Sequence, residues 1–395
     1  MPKSTPFHSR TAVSNETHEW RSWAGYLAAS LYEPSHEREY FAIRNAAALI
    51  DITPLFKYEI SGADAPRLVD RIMTRNIIKC QVGQVMYSPW CDEEGKIIDD
   101  GTIARLDDNL FRVTAADPSL RWFQDVGYGL NAHVQNITTD MAALALQGPL
   151  SRILLQELMD INMEKLGYFR LAQGKIDGRP LTITRTGYTG DLGYELWLQP
   201  QDAEAAWDYL LDKGQDYGLL PAGIIALDIA RVEAGLIMAD VDYISAPKAI
   251  IPDQLSSPFE MGLGWTVAQD GADFIGKRAL QREKEAGSKW AFIGVQVDWL
   301  DLERLFNVED LPPQVAGRAS RTSVPLYLYG RQIGQITSHT FSPMLKEYIG
   351  MGTVLSEYGR VGLNLEMEFT IEYSRERAKA TIVKTPFFNP ARKRK

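Results

Sequence analysis

The 395-residue sequence predicts a protein of the α+β class, in which antiparallel sheets with helices are followed by a C-terminal all-β domain. Strand-like and helical segments are mixed, and short turns join strand pairs without a regular β-α-β alternation. From about Trp290 the pattern changes to short alternating strands separated by Gly and Pro, which is typical of a small barrel. We therefore expect a body of two intertwined subdomains over 1–285 and a β-barrel domain over 286–395.

The first part of the body is expected to contain helices and strand pairs. Trp20 and Trp23 make the segment 1–35 too apolar for a disordered tail, so we expect it to pack on the body. A helix is predicted over 37–50, because apolar residues recur at positions i, i+3 and i+7. A turn at 91–95 is expected to join two strands into a hairpin.

The later part of the body continues in the same mixed manner. The apolar run 141–146 predicts a buried strand, and helices are predicted over 203–213 and 221–235. Gly235 is suited to end the second helix, because glycine readily adopts the left-handed conformation found there. The basic segment 391–395 is interpreted as a solvated, frayed end.

Composition and charge restrict the class of protein. A net charge of −9 argues against general nucleic-acid binding. Cys80 and Cys91 are too few for a disulfide framework, and neither they nor the five scattered histidines have metal-ligand spacing, so no metal site is expected. The sequence has no apolar run of about 18 residues and no signal core, so we expect a cytoplasmic protein without a membrane partner.

The pair Asp99–Asp100 lies inside a strand-like run, where carboxylates are uncommon. Successive strand residues face opposite sides, so one carboxylate is expected to point inward and the other outward. A buried carboxylate needs a partner. One interpretation is an aspartate satisfied by backbone N–H groups near a turn; the other is an aspartate that binds, or exchanges a proton with, a nitrogen heterocycle.

The segment 185–198 combines three glycines, Tyr188 and Glu195 between two strand-like runs. Glycines let the backbone approach a flat or crowded partner closely, and the tyrosine and carboxylate together can stack a ring and hydrogen-bond its polar edge. The alternative is an ordinary glycine-rich β-hairpin with a tyrosine for packing. The glycine spacing matches neither a dinucleotide-binding loop nor a phosphate-binding loop.

The run G-Y-T-G-D-L-G-Y-E, which ends at Glu195, resembles the signature G-Y-T-G-x-x-G-x-E of the glycine cleavage T-protein (aminomethyltransferase) family. That family also includes folate-dependent demethylases. The run G-K-I-I-D-D, which ends at Asp100, is similar to a second family motif, G-x-[ILV]-x-D-D. Further segments match in the same order, so the likeness covers most of the chain and implies a T-protein-like fold.

The resemblance implies a tetrahydrofolate-dependent one-carbon transferase. It implies that Asp100 faces the folate ring nitrogens and is needed for carbon transfer. It also implies that Tyr188 and Glu195 line the folate site, with Tyr87 and Trp265 close to the pterin. The partners implied are a small methyl or aminomethyl donor and, for a T-protein in the strict sense, a lipoyl carrier protein.

Three departures from the family pattern favour a demethylase-like paralogue over T-protein proper. Pro54 replaces the histidine of the motif D-V-S-H-M, and Ala116 stands where an asparagine is usual. Leu227 replaces an arginine that contacts folate in the family. A non-catalytic folate-binding protein is the alternative from another class, but its relatives carry a reactive cysteine in the loop that corresponds to 185–192, and this chain has none there.

Overall fold

The computed structural model describes residues 2–271, 273–315 and 317–395 and has the α+β architecture expected from the sequence. Over these ranges none of the helices is long and apolar enough to cross a membrane. The α-helices are α1 (His8–Ser14), α2 (Glu37–Asn45), α3 (Ala65–Ile72), α4 (Leu120–Val126), α5 (Ser151–Leu158), α6 (Ala203–Gly214), α7 (Ile224–Glu233), α8 (Lys277–Ala286) and α9 (Trp299–Asn307).

The strands of the body form a hairpin and two larger sheets. In chain order they are β1 (Trp20–Trp23), β2 (Tyr26–Ala29), β3 (Ala47–Asp51), β4 (Phe56–Ser61), β5 (Val85–Cys91), β6 (Ile97–Asp107), β7 (Leu110–Ala115), β8 (His133–Asn136), β9 (Ala142–Gln147), β10 (Leu171–Ile176), β11 (Arg179–Thr184), β12 (Gly193–Leu198) and β13 (Leu219–Pro221). One sheet has the order β5-β6-β7-β4-β8 and the other β10-β11-β12-β9-β3-β13. All pairs are antiparallel except β3 with β13.

The central strand β9 shows how its sequence positions the six-stranded sheet between two helical layers. Its leucines, Leu144 and Leu146, face a core that includes α5 and α6. Its alanines, Ala143 and Ala145, face the opposite core, which includes α2 and α7. Since successive strand residues alternate in direction, the small alanines let the helices on their side approach the sheet closely.

The C-terminal region closes into a six-stranded antiparallel barrel of order β14-β17-β16-β15-β18-β19. Its strands are β14 (Trp290–Val297), β15 (Val324–Leu328), β16 (Arg331–Ser342), β17 (Glu347–Leu355), β18 (Asn364–Ile371) and β19 (Ser374–Val383). The helix α9 interrupts the all-β pattern and packs against the barrel core through Leu302, Leu305 and Phe306. The division at residue 285, next to the end of α8, stays a prediction.

The helix predicted over 37–50 is wrong from residue 46 onward. The helix α2 ends at Asn45, and the strand β3 begins two residues later at Ala47. Alanine favours helices, but here the segment pairs with β9 on one side and β13 on the other. Tertiary pairing in the middle of the sheet therefore overrides the local preference.

The basic C-terminal segment is packed, so its interpretation as a frayed end is wrong. Arg392 forms an ion pair with the buried Asp191 at 2.7 Å and also donates to the carbonyl oxygen of Arg44. The Arg44 guanidinium in turn lies 4.4 Å from the ring centroid of Phe388. Buried acceptors of the body thus hold the segment in place.

Candidate active site

A cavity of about 1090 Å³ lies between the two large sheets, the β1–β2 hairpin and α7. Side chains from both sheets contribute to its wall, and so does the connection between β11 and β12. The structure brings all five residues singled out from the sequence to this cavity, namely Tyr87, Asp100, Tyr188, Glu195 and Trp265. These residues come from distant parts of the chain, so only the fold brings them together.

Both carboxylate oxygens of Asp100 are held by phenol groups. Tyr87 donates its hydroxyl to Oδ2 at 2.8 Å, and Tyr243 donates to Oδ1 at 2.5 Å. Burial raises the pKa of Asp100, although the two phenol hydrogen bonds lower it in part by favouring the charged form. The carboxylate is therefore fixed in position by the protein.

The neighbouring Asp99 is fully buried and does not line the cavity, as the alternation of strand residues predicts. Its Oδ2 accepts the backbone N–H groups of Ala116 and Asp117 at 2.9 and 2.8 Å, and its Oδ1 accepts that of Asp100. Burial raises its pKa, and these N–H donors oppose the shift. Asp99 thus anchors a loop that lines the cavity, which is the structural interpretation offered for one of the pair.

Glu195 belongs to β12 and lies directly opposite Thr184 of β11. Its Oε2 accepts the hydroxyls of Thr186 at 2.7 Å and Thr184 at 3.2 Å. No residue in the described ranges donates to Oε1 within hydrogen-bond distance. Burial raises the Glu195 pKa, and the threonine hydrogen bonds oppose that shift. One oxygen is therefore held by the protein while the other stays available as an acceptor.

The glycines of the β11–β12 connection are required by crowding. A Cβ atom on Gly187 would lie 2.0 Å from Oε1 of Gln147, and one on Gly193 would lie 2.2 Å from the same atom. The Gln147 amide also donates to the backbone oxygen of Thr186. The close approach expected from the glycine spacing is thus made to a side chain of β9, which fixes the connection against the sheet.

Aromatic side chains supply flat apolar surface to the cavity. The Tyr188 hydroxyl donates to the backbone oxygen of Ile237, so its polar end is occupied by the protein. Burial raises its pKa, which keeps the phenol neutral. Tyr87 stacks on Trp265 with centroids 6.1 Å apart and an angle of 25° between the rings. Trp265 is 64% exposed, so it lies where the cavity opens to solvent.

A buried ionic cluster supports the wall formed by α7. Arg231 pairs with Asp228 at 2.8 Å and with Asp242 at 2.7 Å. Glu233, two residues along the same helix, pairs with Arg44 at 2.6 Å. Asp228 and Leu227 both line the cavity.

Comparison with known proteins agrees with the fold. Residues 6–271 match the GCVT N-terminal domain, and residues 312–389 match the glycine cleavage T-protein C-terminal barrel domain. The chain therefore belongs to the glycine cleavage T-protein family, a family of folate-dependent aminomethyltransferases.

Two kinds of relative are similar to this chain over nearly its full length. Aminomethyltransferases of Halothermothrix orenii and Bacillus pumilus are 34% and 30% identical over 98% and 99% of the chain, and the matches cover 100% of both proteins. A trimethylamine-oxide aldolase of Ruegeria pomeroyi is 34% identical over 100% of the chain, which spans only 48% of that protein.

Among solved structures, the glycine cleavage system aminomethyltransferase T from Bartonella henselae has a TM-score of 0.82. The match covers 98% of this chain and 99% of that one at 22% sequence identity. This similarity shows the shared fold.

Sequence reasoning missed Tyr243, which contacts both members of the aspartate pair. It lies in an irregular segment after α7 and is one of 17 tyrosines, so no local pattern distinguishes it. Arg21 and Arg321, which line the cavity, were missed for the same reason. In the ranges that the structure describes, no group of three or more His, Cys, Asp or Glu side chains is arranged to hold a metal ion.

Proposed function

We propose that this protein is a tetrahydrofolate-dependent one-carbon transferase. It moves a methyl or methylene group from a small methylated or aminomethyl donor to tetrahydrofolate, and we favour a demethylase-like paralogue. The main support is that two partly buried carboxylates, each held by hydroxyl groups, share one cavity with aromatic surfaces. Family membership supports the reaction class.

The residues present fit a folate. A pterin ring carries an amino-pyrimidine edge rich in N–H donors, and Oε1 of Glu195 is an acceptor that no described residue uses. Tyr188 and Tyr87 offer ring surface for contact with the pterin, and Trp265 extends that surface toward solvent. The cavity volume, about 1090 Å³, is at the upper end for ligand pockets and leaves room for a second, small molecule.

The chain contributes positioning and proton control. Tetrahydrofolate, when bound, supplies the nitrogen that accepts the one-carbon unit. Asp100 takes up or returns the associated proton at a carboxylate oxygen, and its two phenol partners keep that oxygen in place. Glu195 holds the ligand in one orientation.

The three departures from the family pattern support a one-carbon donor other than the aminomethyl carrier that T-protein proper uses. Leu227 and Ala116 both line the cavity, so two of the three departures alter the wall that a ligand contacts. The Ruegeria pomeroyi relative is named for trimethylamine oxide, a small methylated compound. That relative therefore supports the proposed class of donor.

T-protein proper is the second candidate, with a lipoyl carrier protein as partner. The Halothermothrix orenii aminomethyltransferase is as similar in sequence as the aldolase, at 34% identity, and supports this alternative equally. We also propose a cytoplasmic setting, supported by two buried cysteines, Cys80 and Cys91, that form no disulfide.

Mass spectrometry of folate products tests the proposal. Purified protein and tetrahydrofolate are incubated with an aminomethyl-loaded lipoyl carrier, and separately with a panel of N-, S- and O-methyl compounds. We expect methyl-tetrahydrofolate from at least one methyl compound and no folate product from the carrier. A product from the carrier alone would identify T-protein proper, and bound folate without any product would favour the non-catalytic alternative.

Leu227→Arg is the matched variant for the same assay, because it restores the family's usual residue on the cavity wall. We expect it to change the preference among donors or the affinity for folate. An unchanged product profile and an unchanged folate affinity would show that Leu227 does not determine which ligands the cavity binds.

A further inference from the structure

The β1–β2 hairpin places a basic side chain on the cavity wall. Arg21 of β1 lines the cavity and is partly buried, yet its side chain makes no hydrogen bond or ion pair with any residue in the described ranges. A buried or partly buried charge without a partner is costly, and burial lowers the Arg21 pKa. The proposed reaction leaves this residue without a role.

The surroundings of Arg21 carry an excess of positive charge. Arg321 also lines the cavity, and its Nε donates to Oδ2 of Asp228 at 2.7 Å. The other oxygen of Asp228 is taken by Arg231, which also pairs with Asp242. The three arginines are Arg21, Arg231 and Arg321. Only two carboxylates, those of Asp228 and Asp242, balance them, so one positive charge remains uncompensated.

The remaining acid near Arg21 does not neutralise it. Glu19 precedes Arg21 on the same hairpin, but both of its carboxylate oxygens accept from Arg318, at 3.0 and 3.2 Å. Because Arg318 lies three residues before Arg321 and Glu19 two residues before Arg21, this ion pair brings the segments of the two cavity-lining arginines together. Repulsion by the charge of Arg321 lowers the Arg21 pKa further. An anion between them would relieve that repulsion.

We infer that Arg21, together with Arg321, forms a subsite for a carboxylate group of the ligand, an assignment that rests on the proposed function. The planar guanidinium matches the two oxygens of a carboxylate. A single uncompensated positive charge suits a monoanion better than a doubly charged phosphate. The carboxylate comes either from the glutamate end of tetrahydrofolate or from a carboxylated one-carbon donor.

Affinities of two folates test the assignment and separate the two sources. Tetrahydropteroate lacks the glutamate, so it is compared with tetrahydrofolate by titration calorimetry on the wild-type protein and on Arg21→Gln and Arg21→Lys. If Arg21 binds the glutamate, Arg21→Gln lowers the affinity for tetrahydrofolate about tenfold or more and leaves the affinity for tetrahydropteroate unchanged. Arg21→Lys keeps the charge and shows a smaller loss.

The second arm uses methyl donors with and without a carboxylate. If the donor is the source, Arg21→Gln raises the KM of carboxylated donors about tenfold with little change in kcat, and both folates bind as in the wild type. Arg121→Gln is the control, because that side chain is 93% exposed on α4 and does not line the cavity. Thermal denaturation checks that each variant is folded.

A folded Arg21→Gln variant with unchanged affinity for both folates and unchanged KM for every donor would overturn the subsite. A wild-type protein that binds tetrahydrofolate and yields products, while its Arg21 variants behave normally, would leave the proposed function standing without the subsite. A wild-type protein that binds no tetrahydrofolate would overturn the proposed function, and this assignment with it.

Discussion

The two sheets each present one partly buried carboxylate to the cavity, and the two groups are held differently. Asp100, on the five-stranded sheet, accepts one phenol hydrogen bond on each oxygen. Glu195, on the six-stranded sheet, accepts two threonine hydroxyls on a single oxygen, and no described residue donates to the other. The first arrangement fixes both oxygens, whereas the second leaves an oxygen for a ligand. We therefore expect Asp100 to act in turnover and Glu195 in binding.

The largest expected effect is that of Asp100→Asn. The amide keeps the shape but cannot take up a proton, so turnover should fall roughly 100-fold or more, in the range of general acid–base catalysis. The affinity for tetrahydrofolate and the thermal stability should change little. Single-turnover kinetics with quantified folate products measures the loss, and activity close to that of the wild type would contradict the role assigned to Asp100.

The corresponding carboxylate-to-amide change on the six-stranded sheet, Glu195→Gln, should lower the affinity for tetrahydrofolate. Its oxygen can still accept from the threonines, but the NH₂ group then faces the cavity and meets N–H donors of the ligand. We expect tetrahydrofolate affinity to fall by about 1–3 kcal/mol, the cost of leaving a buried polar group without a partner. Titration calorimetry measures it. Unchanged affinity would show that Glu195 does not contact the ligand.

Asp99→Asn tests whether Asp99 stabilises the fold and takes no part in the chemistry. Its carboxylate accepts three backbone N–H groups, which an amide cannot all satisfy. We expect the free energy of unfolding to fall by about 1–3 kcal/mol. Urea denaturation measures this loss. A variant as stable as the wild type but as inactive as Asp100→Asn would mean that Asp99 takes part in the chemistry.

Tyr243→Phe should give the smallest effect and a change in pH dependence. The Tyr243 hydrogen bond lowers the pKa of Asp100, so its removal raises that pKa. If the ionised carboxylate is the active form, activity on the acidic side is lost at higher pH than in the wild type. At neutral pH we expect a roughly three- to tenfold lower turnover, equivalent to one hydrogen bond.

Tyr87→Phe is the matched control for that experiment, because Tyr87 holds the other oxygen of Asp100 and also lowers its pKa. The two variants should shift the kcat profile in the same direction. A shift toward lower pH in either variant would contradict the assigned hydrogen bonds.

The site was predictable from the sequence where one short segment carries several functional groups. Tyr188 and Glu195 lie in one glycine-rich connection, and Asp100 stands out as a carboxylate in a strand. The packing around these groups was not predictable, since Tyr243, which holds Asp100, and Arg21, which lines the cavity, come from segments without a distinctive pattern. Their positions depend on contacts with residues more than 100 positions away, such as that of Tyr243 with Asp100.

In the fold too, elements with a local sequence pattern were predictable and an element that depends on long-range pairing was not. The barrel followed from alternating strands between Gly and Pro, because that pattern is local. The strand β3 was missed, because its alanines favour a helix and only pairing with β9 and β13 makes the segment extended.

A crystal structure of the protein with a bound reduced folate tests most directly whether Glu195 binds the ligand and Asp100 faces the reacting nitrogen. We predict that an N–H donor of the pterin lies about 2.7–3.2 Å from Oε1 of Glu195, with the reactive nitrogen facing Asp100. A pterin bound outside the cavity, or one whose amino-pyrimidine edge faces Asp100 while Glu195 contacts no ligand atom, would contradict the account.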